Sequence, residues 1–288
     1  MAQSVAFIGT GIMGLPMARR LLAAGVALTV HTRTRSRAQP LIESGAIWAD
    51  SPAEAAGANV VLVCVSDTPD VQSVLLGEGG VVAGAKAGTI VVDHSTISPT
   101  ATVEMAAQLA EKQITLIDAP VSGGDVGAQN GTLSIMCGGQ RAAFEAVTPL
   151  LQHLGKTITY CGESGRGQLT KLVNQVLVFG TVLAVSEAIA FAKAGGLDLP
   201  TTLAAIGSGA GRGWQLEQLG PKMAADDFAP GFMIDLAAKD LRLVMEFAEQ
   251  KNLKLPGASL VQRLYEQLQA QGDGRLGTQG LLRAIVPA

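Results

Sequence analysis

Charge is scarce in this chain, and so are cysteine and aromatic side chains. Of 288 residues, 16% are Asp, Glu, Lys or Arg, the formal net charge is −3, and 4% are aromatic. There is no basic tail and no run of Lys or Arg interleaved with aromatics, so nothing would neutralise a phosphate backbone, and nucleic acid is not an expected partner. Cys64, Cys137 and Cys161 are three in number, stand among apolar neighbours, and make no CxxC or Cys/His spacing that could grip zinc. Buried, reduced thiols and no metal site are expected. A basic n-region and a small-residue cleavage site are missing before the first apolar run, which implies a cytoplasmic protein without a signal peptide.

Apolar residues are plentiful at 48%, enough in a chain of this length for two cores, and two domains are expected. The stretch "LVNQVLVFGTVLAVSEAIAFAKAG" from Leu172 has the length of a bilayer span. Asn174, Gln175, Ser186 and Glu187 within it argue instead for a buried helix whose polar groups find protein partners, so no membrane contact is expected.

From residue 4 to about 161, short Val/Ile-rich runs alternate with helical stretches: Val5 to Ile8, Ala27 to Val30, Val60 to Val65, Thr89 to Val92, Thr115 to Ile117 and Leu133 to Met136. Continuous apolar strands separated by helices imply crossover units and a parallel sheet covered on both faces. Ser98 before Pro99 marks a helix start. After the hinge-like "CGESGRG", helices are expected at 168–194, 200–207, 213–224, 234–251, 256–271 and 277–285. The fold class is therefore α/β, a Rossmann-like doubly wound domain over 1–164 followed by an all-helical domain over 165–288. The long helix 168–194 joins them.

Gly9, Gly11 and Gly14 form G-x-G-x-x-G between the first strand and a helix, with Ile12 and Met13 inside the turn. The first glycine suits the tight turn, the second a close approach of pyrophosphate, and the third the packing of helix on strand. The helix N-terminus favours phosphate. After the second strand an NAD site places an acidic residue, whereas "VHTRTRSR" offers Thr32, Arg33, Thr34 and Arg35. With no carboxylate there to repel a 2′-phosphate, NADP(H) is expected over NAD(H).

Three further clusters fall at expected loop positions. In "DHSTISP", Ser95 and Thr96 serve either a ligand or an ordinary turn and cap. In "DAPVSGG", Ser122, Gly123 and Gly124 make either a cradle for a small carboxylate or a simple glycine turn. In "GRGQLTKLVNQ", Lys171 has Asn174 and Gln175 three and four residues on, hence on one face. Lys171 is either a solvated surface group or, among Leu169, Leu172, Val173 and Val176, a buried proton donor.

Together with "IMGLPMA", "GTLSIMCGG" and "GFMIDLAAKDL", these motifs resemble the β-hydroxyacid dehydrogenase family over essentially the whole chain. That family includes 3-hydroxyisobutyrate dehydrogenases, tartronate semialdehyde reductases and glyoxylate/succinic semialdehyde reductases. The resemblance implies hydride transfer between NADP(H) and a short β-hydroxyacid/semialdehyde pair in a homodimer or homotetramer. By the same resemblance Lys171 is the general acid/base, Asn174 or Gln175 its companion, and Ser122, Gly123 and Gly124 the carboxylate cradle. Thr96, Lys239 and the Val65–Ser66 loop would contact the cofactor, and Trp214, Phe232 and Asp240 would close the substrate pocket. The rival readings are an imine reductase of the same architecture, which usually carries Asp or Tyr at the Lys171 position, and a dinucleotide-binding scaffold without turnover.

Overall fold

The computed structural model describes residues 4–286; the outermost residues of the two expected domains, 1–3 and 287–288, lie outside it. Its strands are β1 (Val5–Ile8), β2 (Leu28–His31), β3 (Ile47–Trp48), β4 (Val60–Val63), β5 (Ile90–Asp93), β6 (Thr115–Asp118), β7 (Val121–Ser122), β8 (Leu133–Gly138) and β9 (Gly155–Gly162). The α-helices before residue 160 are α1 (Gly14–Ala23), α2 (Gln39–Glu43), α3 (Pro52–Ala55), α4 (Thr68–Leu76), α5 (Val81–Gly84), α6 (Pro99–Ala110), α7 (Gly124–Asn130) and α8 (Arg141–Leu151). The later ones are α9 (Arg166–Ala194), α10 (Leu199–Gly207), α11 (Trp214–Ala224), α12 (Ile234–Gln250) and α13 (Pro256–Ala270).

The chain divides into two compact units, Met1–Lys171 and Leu172–Ala288. The division falls inside α9, past the 164/165 boundary expected from the glycine-rich hinge. In the first unit the sheet order is β3-β2-β1-β4-β5-β6-β8-β7, with β9 paired to β8. The direction of winding reverses between β1 and β4, which is where such sheets open a crevice at their carboxyl edge. Alternate residues of β1 and β4 enter different cores. Val5, Phe7, Val60 and Leu62 face one cluster, while Ala6, Ile8, Val61 and Val63 face the other. Burial on both faces explains why these strands read as unbroken apolar runs.

Two expectations are corrected here. The sheet is parallel through β6, but β8 runs antiparallel to β6 and to β7. Between β6 and β8 the chain forms β7 and the short α7, and β8 then turns back to pair antiparallel with β7. Two short strands and an edge strand also lie outside the expected set. β3 and β7 span two residues each, and β9 carries exposed Lys156, Thr157 and Thr159, so none shows an apolar run. The expected cap on α6 is present, with Ser98 Oγ accepting from the Ala101 N–H at 3.3 Å.

The second unit is helical. α9 is long and apolar enough to cross a bilayer by composition. Within this unit, however, Leu172, Phe179, Val182, Val185 and Ile189 pack into a core with Leu241, Val261 and Tyr265 from α12 and α13. Buried Ser186 donates to the Val182 carbonyl at 2.8 Å, as a core helix requires. The last expected helix, 277–285, is present as a 3₁₀ helix, Thr278–Ala284. Its residues 278–282 are all buried, and the Gln279 amide donates to the Asp227 and Ala229 carbonyls. Burial around the whole circumference of a short segment leaves no solvent face for an amphipathic α-helix.

Candidate active site

The three glycines after β1 have three different surroundings. Gly9 sits at φ +99°, and a Cβ there would stand 2.2 Å from the Cys64 carbonyl oxygen. At Gly14 a Cβ would stand 1.9 Å from the Gly9 carbonyl oxygen, so the start of α1 presses on the turn with no room for a methyl. Gly11 has nothing within 4 Å of where a Cβ would be. That opening lies over a turn whose Thr10 hydroxyl is buried without a hydrogen-bond partner among the described residues. An open cradle, an unsatisfied hydroxyl and a helix N-terminus fit a dinucleotide pyrophosphate. Ile12 is exposed beside it, and Met13 packs partly into the core.

At the end of β2, Thr32 is half-buried while Arg33, Thr34 and Arg35 are exposed. Arg35 lies over the Trp48 ring at 5.3 Å. The sequence places no carboxylate in this loop, but folding brings one to it: Arg33 pairs with Asp70 of α4 at 3.3 Å. With Arg33 84% exposed, the pair is worth little in stability and can exchange partners. After β4, Val65 is half-buried, Ser66 exposed, and the Val65 N–H donates to Ser95 Oγ at 2.9 Å. Thr96 is half-buried on the neighbouring loop.

His94, directly after β5, is buried. Its Nδ1 donates to the Ala119 carbonyl at 2.8 Å, and burial pushes its pKa down to about 4, so the ring is neutral at physiological pH. Burial likewise pushes the Cys137 thiol up to about 12, with Cys161 and Asp118 adding to the effect. None of the three cysteines forms a disulfide, and only Cys137 is buried; Cys64, in the loop after β4, and Cys161, on the edge strand β9, are half-buried. The expectation of three buried thiols is therefore corrected.

Ser122 ends β7 half-buried, and the next two residues take positive φ, +130° at Gly123 and +64° at Gly124. Left-handed backbone at two successive positions demands glycine and turns the chain sharply into α7. Close by in sequence, Asp118 at the end of β6 is fully buried. Its two carboxylate oxygens accept from the Gly165 and Gln168 N–H groups, each at 2.9 Å. Burial raises the Asp118 pKa, and hydrogen bonds from Gly165, Gln168 and Gly167 oppose the rise. Gln168 donates to the Ser95 carbonyl at 2.8 Å and accepts from the Ile97 N–H at 3.1 Å. One turn on, Lys171 is buried at 7% exposure. Lys171 is thus among the buried residues of its helix and not a solvated surface group. Asp118 and Gln168 escaped the sequence reading although both lie within quoted motifs; a carboxylate ending a buried strand and a glutamine beside Leu169 were the available signals.

In the second unit a polar chain crosses between two helices. Asn174 Nδ2 donates to Gln175 Oε1 at 2.9 Å, Gln175 Nε2 donates to Asp240 Oδ2, and Asp240 Oδ1 stands 2.7 Å from Lys239 Nζ. Gln175 and Asp240 are buried. Asn174 and Gln175 therefore act as a linked pair, and Asp240 is occupied by Gln175 and Lys239. Phe232 stacks on Phe179 with ring centroids 6.3 Å apart, while Trp214, at the first residue of α11, is 56% exposed.

Two family models account for nearly the whole chain. The NAD binding domain of 6-phosphogluconate dehydrogenase matches residues 4–162. The NAD-binding domain of NADP-dependent 3-hydroxyisobutyrate dehydrogenase matches residues 165–285. The chain belongs to the β-hydroxyacid dehydrogenase family. Like its relatives, this β-hydroxyacid dehydrogenase is an NAD(P)-dependent oxidoreductase acting on CH–OH groups of small hydroxyacids. It is 41% identical to the 2-hydroxy-3-oxopropionate reductase of Escherichia coli, covering 97% of this chain and 96% of the relative. It is 39% identical to an uncharacterized oxidoreductase of Bacillus subtilis over 99% of this chain and 100% of that protein. Among solved structures, Psf3 in complex with NADP+ and 2-OPP superposes with a TM-score of 0.92 at 29% identity, covering 98% of this chain and 100% of that one.

Proposed function

We propose that this dehydrogenase interconverts a short β-hydroxyacid and its semialdehyde with NADP(H), using Lys171 as the general acid/base. The candidate pairs are of the tartronate semialdehyde, 3-hydroxyisobutyrate or succinic semialdehyde/glyoxylate type. The observation that carries this reading is the burial of Lys171 at the anchored start of α9, in the same unit as the glycine turn and the Ser122 loop. The E. coli relative's name, 2-hydroxy-3-oxopropionate reductase, supports a semialdehyde substrate.

Gly9, Gly11 and Gly14 would hold the pyrophosphate, and Thr32, Arg33, Thr34 and Arg35 the 2′-phosphate. Arg33 would exchange Asp70 for that phosphate, since an exposed ion pair resists little. Val65, Ser66, Thr96 and Lys239 would complete the cofactor contacts. When bound, NADP(H) supplies or accepts the hydride. Lys171 protonates the developing alkoxide during reduction and removes the proton during oxidation. Ser122 Oγ and the N–H groups of Gly123 and Gly124 hold the substrate carboxylate, which fixes the carbonyl and lowers the entropic cost of reaction. Asn174 or Gln175, hydrogen-bonded to each other and through Gln175 to Asp240, would serve as the polar companion of Lys171 one turn on.

The enzyme works as a soluble cytoplasmic homodimer or homotetramer on this reading. Val173, Leu177 and Phe191, the last 81% exposed, lie along one side of α9, where a second copy would cover them. The test is a set of initial rates with NADPH and NADH against glyoxylate, succinic semialdehyde, tartronate semialdehyde and methylmalonate semialdehyde. Turnover of at least one with NADPH, at a lower KM than for NADH, is expected. No turnover of any would overturn the substrate class, and a lower KM for NADH the cofactor preference.

A further inference from the structure

The first N–H groups of an α-helix have no partner inside it. At the start of α9 two of the N–H groups in this region, those of Gly165 and Gln168, go to a single carboxylate from another element, Asp118. A carboxylate at this end also suits the helix dipole. The fit is close: a Cβ at Gly138 would stand 2.7 Å from Asp118 Oδ1, and one at Gly167 would stand 2.8 Å from Oδ2. Helix and carboxylate therefore meet with no side chain between them.

A second attachment fixes the helix about its own axis. Gln168 is completely buried, and its amide joins the Ser95 carbonyl and the Ile97 N–H, while Ser95 Oγ takes the Val65 N–H. Asp118 restrains the first turn along the axis, and Gln168 restrains its rotation toward the loops after β4 and β5. Lys171 follows Gln168 by three residues and so shares its face. Burying a carboxylate and an amide is costly unless every polar atom is satisfied, and an apolar contact would hold the helix as firmly without setting its register.

We propose that Asp118 and Gln168 are positioning residues that set where Lys171 presents its amine. This inference rests on the reading of Lys171 as acid/base. Asp118→Asn keeps the shape but turns an NH₂ group toward a backbone N–H. Gln168→Met keeps the length and leaves Ser95 and Ile97 unpaired.

The experiment measures kcat and both KM values of the full-length enzyme for Asp118→Asn, Gln168→Met, Lys171→Ala and the two double variants with Lys171→Ala, alongside thermal unfolding. A displacement of about 1 Å can cost on the order of 100-fold in rate, so kcat should fall by at least about 10-fold with KM values within about 2-fold. In the Lys171→Ala background the same changes should leave the residual rate within about 2-fold, because no amine is left to misplace. A merely structural role would not give this dependence on Lys171. If Asp118→Asn does not fold, Gln168→Met carries the test. Folded single variants with normal kcat, or losses that multiply fully with Lys171→Ala, would overturn the positioning role while the Lys171 reading stands. Normal turnover by Lys171→Ala alone would overturn both.

Discussion

Gly11 and Gly14 lie three residues apart in one motif, yet they should answer the same substitution in opposite ways. A methyl at Gly11 meets nothing within 4 Å, and its backbone φ lies outside the left-handed range. Gly11→Ala should therefore leave folding stability unchanged or raise it by about 0.4–1 kcal/mol through reduced freedom of the unfolded chain. The same methyl would occupy the space through which backbone must approach a pyrophosphate. Binding of NADPH should weaken at least about 10-fold, a loss of about 1.4 kcal/mol. Gly14→Ala drives a carbon to 1.9 Å from the Gly9 carbonyl oxygen and should cost at least about 3 kcal/mol of stability. Urea unfolding without ligand, paired with fluorescence titration of NADPH, separates the two effects. A Gly11→Ala protein of normal stability that binds NADPH with the wild-type Kd would refute the assignment of the open cradle to the pyrophosphate.

Two further outcomes follow from the site. His94 titrates at about 4 when folded against an ordinary 6.5 when unfolded, so the unfolded chain takes up the proton first as pH falls. Stability from this group is intact above pH 6.5 and declines down to about pH 4, by roughly 3 kcal/mol for a shift of about 2.5 units. Asp118, whose pKa burial raises, acts in the opposite direction, so the comparison is between wild type and His94→Gln in urea unfolding from pH 7 to 4. Equal losses in both proteins would contradict it. Thr32→Asp, placing a carboxylate beside the expected 2′-phosphate, should shift the kcat/KM ratio toward NADH by about 10-fold or more, and an unchanged ratio would count against the assigned phosphate loop.

Those features that depend on neighbours along the chain were legible before any coordinates. β1 and β4 announce themselves because burial on both faces leaves only apolar residues, and Ser98–Pro99 marks the start of α6 by local hydrogen bonding and a fixed φ. Features that depend on partners distant in sequence were not. Asp70 lies 37 residues beyond Arg33, so a reading of "VHTRTRSR" finds no carboxylate where the fold supplies one. The reversal of β8 is equally hidden, since its apolar run is the same in either direction. Gln168 looks like any polar residue on a helix until Ser95, 73 residues earlier, is seen to accept its hydrogen bond. Lys171 stood out by its apolar neighbours and by the resemblance, which left burial and solvation both open; the fold buries it and shows how its helix is anchored.

The role of Lys171 is tested most directly by the single-turnover rate of Lys171→Ala with saturating NADPH and the best semialdehyde. A general acid is worth about 100-fold to 10,000-fold, so the rate should fall by that factor while NADPH affinity and the melting temperature stay near wild type. A single-turnover rate close to wild type would contradict the assignment of the proton to this amine.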